Sequence, residues 1–195
     1  MLYNRHNLAV AGVASDSSIK PVLSGVMFTK DKTVATDSYR LVEISVHKDA
    51  RVDEFPKVQG ISAMQGIKPF IVWAKGLKEI KIPKSSLPML ENVAIKHVDD
   101  QGIEFITTDL ETVDIKRVKR INETFPDYEK IFPVGEPLAE VEVNAEYLAE
   151  VVKILGKLDS MSRVKIKLYG TLKPLVFEAG NDKQRGRGLL MPMNK

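Results

Sequence analysis

Two Thr-Asp pairs, Thr36-Asp37 and Thr108-Asp109, come nearest to a chemical constellation in this 195-residue chain, because carboxylates beside hydroxyls are ingredients of general acid–base work. Each pair, however, falls between two alternating runs, where Thr and Asp side chains bond to nearby backbone and close a turn. His6, His47 and His97 are far apart and have no metal-ligand spacing. Gly186-Arg187-Gly188 leads into the apolar run LLMPM instead of opening a helix, so it does not read as a phosphate loop. With no cysteine, the chain has neither thiol nucleophile, disulfide nor thiolate metal site, which fits a reducing compartment. The sequence therefore predicts a binding protein: no enzyme, no catalytic residue, no metal and no cofactor.

The residues left to do work are cations and apolar side chains. Lys75, Lys78 and Lys81 recur every third residue, Lys153 and Lys157 lie four apart, and Arg5 opens the first helical stretch. Together they predict a basic surface for the phosphates of duplex DNA, although Glu79, Glu146 and Glu150 interleave with them. A net charge of only +3 does not announce nucleic-acid binding by itself, and no aromatic platform accompanies the lysines, so non-specific phosphate contact is the mode that remains.

These residues need elements to hold them. The balance of 44% hydrophobic and 28% charged residues is that of a globular chain folding in water. No apolar stretch reaches the roughly 18 residues of a membrane span, and the N-terminus has no signal-peptide core, so the expected location is cytoplasmic, with no membrane partner. A weak internal repeat aligns the stretch from Ser17 with that from Ser85: Pro21 matches Pro88, Leu23 Leu90, Val26 Val93, and Thr36-Asp37 Thr108-Asp109. Period-two alternation predicts three strands in each copy, at about 23–30, 32–37 and 40–47, then about 92–99, 102–109 and 111–121. A short helix is expected before each, around Arg5 to Ala14 and Ala74 to Lys81, and no strand is evident before the first. A third unit begins at EVEV, Glu140 to Val143. It enters a helix capped by Asn144, with Leu148, Val151, Val152 and Leu155 on one face, and continues as strands at about 164–170, 175–180 and 186–193. Val164, Ile166 and Leu168 are expected on one face and Lys165 and Lys167 on the other. His47 to Pro69 reads as a connector, and the aromatic stretch ETFPDYEKIFPVGEP as a second linker.

Three widely separated segments, TVATDSYRL, FPDYEKIFP and LLMPM, resemble ATDGHRL, FPDYRRVLP and VMPMRL of the beta subunit of bacterial DNA polymerase III, the DNA sliding clamp. The resemblance covers most of the chain apart from the connector and the termini, and suggests a shortened or divergent member. It implies an α+β fold of DNA-clamp (processivity-fold) half-domains, each a helix packed on antiparallel strands, with helices toward DNA and sheets outside. The implied organisation is a clamp-like domain 1–133 of two repeat units, about 1–60 and 69–133, followed by a C-terminal half-domain 134–195.

The resemblance also implies a function in DNA replication. A homo-oligomeric ring would encircle double-stranded DNA and act as a processivity factor, docking DNA polymerase and other clamp-binding-motif proteins, with a clamp loader as a further partner. The partner-peptide pocket carries over to Leu23, Thr36, Tyr39, Arg40, Leu41, Pro126, Ile131, Leu189, Met191 and Met193, with Thr36 and Arg40 at a polar rim. Burying about 300 Å² of apolar surface there is worth roughly 7 kcal/mol before the peptide's ordering cost, which suits exchangeable binding. Because the family ring contains about twelve halves, three per chain implies four chains. The alternative is a clamp-derived adaptor that keeps the pocket without encircling DNA.

Overall fold

Alternating apolar runs separated by polar turns build antiparallel strands, and each set of strands must cover one apolar face with a helix. The computed structural model describes residues 2–16, 19–48, 55–57 and 68–193. It divides into two compact units, Met1–Asp127 and Tyr128–Lys195. Most of the expected connector lies outside the described residues, as does the side chain of His97.

Unit 1 contains two copies of one repeat. The first is β1 (Leu2–Asn4), α1 (Arg5–Ala9), β2 (Gly25–Phe28), β3 (Lys32–Thr36) and β4 (Leu41–Ser45). The second is β5 (Phe70–Trp73), α2 (Ala74–Lys78), β6 (Asn92–Val98), β7 (Gly102–Thr108) and β8 (Val113–Ile121). The sheet runs β1-β6-β7-β8-β5-β2-β3-β4. The strand before each helix thus crosses to the other repeat: Tyr3 pairs with Val93, and Val72 with Val26.

This exchange corrects the expectation that no strand precedes the first helix. β1 is only three residues long, and its hydrogen bonds go to β6 some ninety residues away, so local periodicity carries no trace of it. β5 escapes for the same reason. The first helix is also shorter than expected, because a 3-10 turn at Val10–Gly12 replaces its last turns.

Phe28 lies at the centre of unit 1, fully buried. It meets Tyr3 edge-on at 4.9 Å, stacks on Phe70 at 5.2 Å and touches Phe105 at 5.5 Å, so aromatic residues of both repeats close one core. Burial pushes the Tyr3 phenol up, helped by Asp31, and its hydroxyl donates to the Thr29 carbonyl at 2.8 Å. Phe55, from the connector, is buried with Leu2, Ala94 and Ile106.

Unit 2 contains one repeat: α3 (Ala145–Gly156), β9 (Lys165–Lys167), β10 (Leu175–Gly180) and β11 (Arg185–Leu190), in the order β11-β10-β9. Asn144 caps α3, accepting from Glu146 and Tyr147 N–H. Leu155, Leu175, Phe177 and Leu190 form its core, with Leu148, Val151 and Val152 against them. Glycine suits Gly186 and Gly188 because α3 rests on β11 there: a Cβ on Gly186 would stand 2.6 Å from Leu158 Cδ1, and one on Gly188 3.3 Å from Val151 Cγ1. Residues 140–143 form no strand, although Val141 and Val143 pack on the core and Glu142 accepts from Met193 N–H. Val164 reaches the core, but Ile166 and Leu168 are exposed because α3 covers only part of that face.

Candidate functional site

The ten docking residues divide between the units, and each group has its own local cause. In unit 1 the turn between β3 and β4 is closed by Asp37, whose Oδ1 accepts from the N–H groups of Tyr39 and Arg40 at 3.0 Å, while its Oδ2 accepts from Arg40 Nε at 2.8 Å. The Tyr39 backbone N–H and then the Arg40 side chain hold the Asp37 carboxyl below its ordinary range. Ser38 takes a left-handed backbone, φ 80°, which throws Tyr39 fully into solvent.

Thr36 is buried at 8% exposure. Its hydroxyl donates to the Arg40 carbonyl and accepts from Ser38 N–H, so its proton and one of its two lone pairs are used inside the turn. Leu23 is buried at 8% exposure, on a 3-10 turn (Pro21–Ser24) that precedes β2; it is a core residue at the surface's edge. Leu41 is half-buried, and Arg40 and Pro126 are exposed.

In unit 2 Leu189 lies on β11, and Met191 and Met193 lie on the segment that follows it. Leu190 points into the core, so Leu189 and the residues at two-residue spacing beyond it, Met191 and Met193, point the other way. They are 62%, 59% and 57% exposed, an apolar stripe without cover. Ile131, on the turn Glu129–Ile131, is also exposed. Methionine suits such a stripe because its flexible thioether adapts to differently shaped anchors.

The basic residues divide likewise. Lys75 and Lys78 are exposed on α2 and Lys81 follows it; Glu79, which might have offset them, binds Lys116 Nζ at 2.5 Å. That lysine is the chief cause of the low Glu79 carboxyl pKa. Arg5 is more committed: its Nη2 reaches Glu91 at 3.1 Å and the Pro83 carbonyl at 3.3 Å, so part of its charge is neutralised. Lys153 and Lys157 are exposed at the C-terminal end of α3, where they also favour the helix dipole. One residue the sequence reading passes over is Trp73. It holds the N-cap position of α2, is 39% exposed and carries Lys119 Nζ 4.8 Å from its ring centre, a cation that the fold brings to an aromatic already adjoining the basic helix in sequence.

No group of three or more His, Asp or Glu able to hold a metal occurs among the described residues. Nor is any described helix long and apolar enough to cross a membrane. Asp37 and Asp109 both accept from turn N–H groups, so neither is poised as an acid or base.

Neither family models nor curated protein sequences match the chain. Solved structures do. The beta subunit of Streptococcus pyogenes DNA polymerase aligns over 100% of this chain and 50% of its own, with a TM-score of 0.68 and 17% identity. The fold is that of the bacterial DNA sliding clamp. The Pseudomonas aeruginosa sliding clamp aligns over 98% of this chain and 50% of its own, with a TM-score of 0.65 and 18% identity. A Helicobacter pylori beta clamp bound to a DNA ligase peptide aligns over 95% and 46%, with a TM-score of 0.62 and 20% identity. The chain thus spans about half the length of the clamps it matches. Its α+β half-domains are clamp half-domains, as the three sequence segments implied.

Proposed function

We propose that the chain is a DNA sliding clamp, a processivity factor whose assembled ring encircles duplex DNA while partner proteins dock on its outer surface. The observation that carries this reading is the clamp fold itself, matched along the whole chain by clamp structures. The exposed stripe of Leu189, Met191 and Met193 supports docking of a short apolar peptide, as does the exposed Tyr39 of the unit 1 turn. The lysines of α2, with Glu79 drawn off by Lys116, support loose contact with phosphates. A few screened contacts suffice, because a closed ring stays on DNA by topology and can still slide. This role needs no chemical step, hence neither enzyme activity nor cofactor. The partners it implies are a DNA polymerase, other clamp-binding-motif proteins and, where the ring must be opened, a clamp loader.

Retention on DNA tests the ring. Protein assembled on nicked circular duplex should stay bound through a salt wash and leave when the circle is cut; release at the same rate from both forms would refute encirclement. A second reading, a non-encircling adaptor that only docks clamp-binding peptides, is favoured by the half-length match to clamps. Peptide binding without topological retention would select it.

A further inference from the structure

Unit 1 contains its own template for completing a repeat. The strand before each helix pairs with the first strand after the helix of the other repeat, β1 with β6 and β5 with β2. The exchange is reciprocal, so the two repeats are related by an approximate two-fold, across which α1 and α2 touch.

Unit 2 contains one repeat, and its residues can be placed on that template. The helix caps Asn4, Trp73 and Asn144 correspond, which sets Val143 where Tyr3 and Val72 stand. The hairpin pairs also correspond: Ile166 faces Phe177 as Phe28 faces Thr33 and Ile95 faces Phe105. Val164 therefore stands where Val26 and Val93 do. Carried onto unit 2, the unit 1 register sets Val143 opposite Val164, Glu142 opposite Lys165, Val141 opposite Ile166, and Glu140 opposite Lys167. Apolar residues meet apolar residues, and each glutamate faces a lysine, Lys165 opposite Glu142 and, opposite Glu140, Lys167, which also bridges Glu178 of its own chain at 2.6 Å.

One copy cannot make this pairing within itself. Residues 140–143 lie beside the continuation of β11, where Met193 N–H donates to the Glu142 carbonyl, whereas β9 is at the opposite end of the sheet order. Three strand spacings, about 14 Å, separate the two edges. Around the β9 edge the surface is apolar as well: Ile166 is 53% exposed, and Tyr147 and Ile154, seven residues apart on one face of α3, are 58% and 66% exposed. We propose that two copies of this chain pair through unit 2 about a two-fold axis, residues 140–143 of each copy adding to the outer edge of the other's β9 and the two α3 helices meeting across the axis. This pairing rests on the symmetry of unit 1 and the charge pattern of unit 2, independently of the clamp function.

Because the chain has no cysteine, engineered ones report without background. Chains carrying E142C and K165C separately, mixed under mild oxidation, should yield a disulfide-linked dimer containing one of each; the out-of-register mixture of E140C with K165C should yield several-fold less. In the unmodified background, E142K places lysine opposite lysine twice per dimer and should weaken dimerisation about tenfold, and E142K/K165E should restore it. Equal cross-linking in both mixtures, no restoration by the charge swap, or a full-length chain that stays monomeric at 100-fold dilution and at its highest soluble concentration would overturn the pairing. A dimer cross-linked as stated that is not retained on circular DNA would leave the pairing standing and refute the clamp reading alone.

Discussion

The Thr36 hydroxyl donates to the Arg40 carbonyl at 2.8 Å, spanning the turn that presents Tyr39. The second repeat does the same, with Thr108 donating to the Thr112 carbonyl at 2.6 Å and Leu110 in the left-handed conformation that Ser38 adopts. Unit 2 keeps the Asx half of the motif: Asn181 accepts from the N–H groups of Lys183 and Gln184. The Thr-Asp pairs are thus turn-closing devices repeated with the fold. Thr36→Val should cost roughly 1–2 kcal/mol in denaturant unfolding, because it removes a bond across the turn and leaves Ser38 N–H short of a partner, while the Arg40 carbonyl keeps only the Asp37 N–H at 3.3 Å. It should also lower affinity for a partner peptide by loosening Tyr39; a wild-type unfolding midpoint would show that the hydroxyl is not needed.

Asn7 should be the most sensitive polar residue of unit 1. Fully buried, it donates to Thr33 Oγ1 at 3.3 Å and to the carbonyls of Ile44 and Ser45 at 3.1 Å, and its Oδ1 accepts from Asn4 N–H at 3.1 Å. One side chain therefore ties α1 to β3 and β4 while closing the capping box. Asn7→Leu should destabilise by about 2–4 kcal/mol, since it removes four hydrogen bonds from a fully buried side chain at once, although the Thr33 hydroxyl keeps its bond to the Asn7 carbonyl. A loss below that of Thr36→Val would refute this ranking.

The repeat was legible in the sequence because its signals are local. Alternation in β7 and β8, and Thr-Asp at matching places, need no knowledge of distant contacts. What stayed hidden depends on partners far along the chain. β1 and β5 exist because β6 and β2 hold them, whereas residues 140–143 form no strand although the Glu142 carbonyl accepts from Met193 N–H. Of the docking residues, the LLMPM segment marked Leu189, Met191 and Met193, which are exposed, but the sequence could not tell that Leu23 is buried or that the hydroxyl of Thr36 already bonds within its turn.

Acid should destabilise unit 2 through Asp159. Arg163 holds the Asp159 carboxyl at about 2, below its ordinary 3.8, with help from the backbone N–H groups of Arg163 and Met161. A depressed native pKa means that the unfolded chain takes up the proton first. The stabilisation is present above about pH 4 and is lost as the pH falls toward 2. Asp159→Asn should flatten the pH dependence of unfolding in that window and lower stability at neutral pH, where the wild-type carboxylate contributes in full; an unaltered slope would show that Asp159 does not contribute.

Gly180 stands at the hairpin position where the other repeats have Thr36 and Thr108, and it cannot be exchanged for them. At its φ of 158°, a Cβ would meet the Gln184 carbonyl oxygen at 2.5 Å and Arg185 Cα at 2.8 Å, both backbone atoms that cannot move aside. Gly180→Ala should therefore cost about 2 kcal/mol or more in unit 2. The outcome is read by hydrogen exchange at β10 and β11, with unit 1 unaffected; unchanged protection there would mean that the hairpin relaxes freely.

Lys75 and Lys78 give the clamp reading an electrostatic test separate from ring closure. Both are exposed on α2, so replacing both with glutamate should move folding stability by no more than about 0.5 kcal/mol. If each lysine meets a phosphate, the double substitution should reduce the slope of log affinity against log salt by about 2, because two fewer counterions are released on binding duplex DNA. Peptide docking at the Met191 and Met193 stripe should be unaffected, whereas replacing those two methionines with glutamate should abolish docking and leave the salt slope alone. A salt slope that survives the lysine substitutions would place the duplex against some other face of the protein.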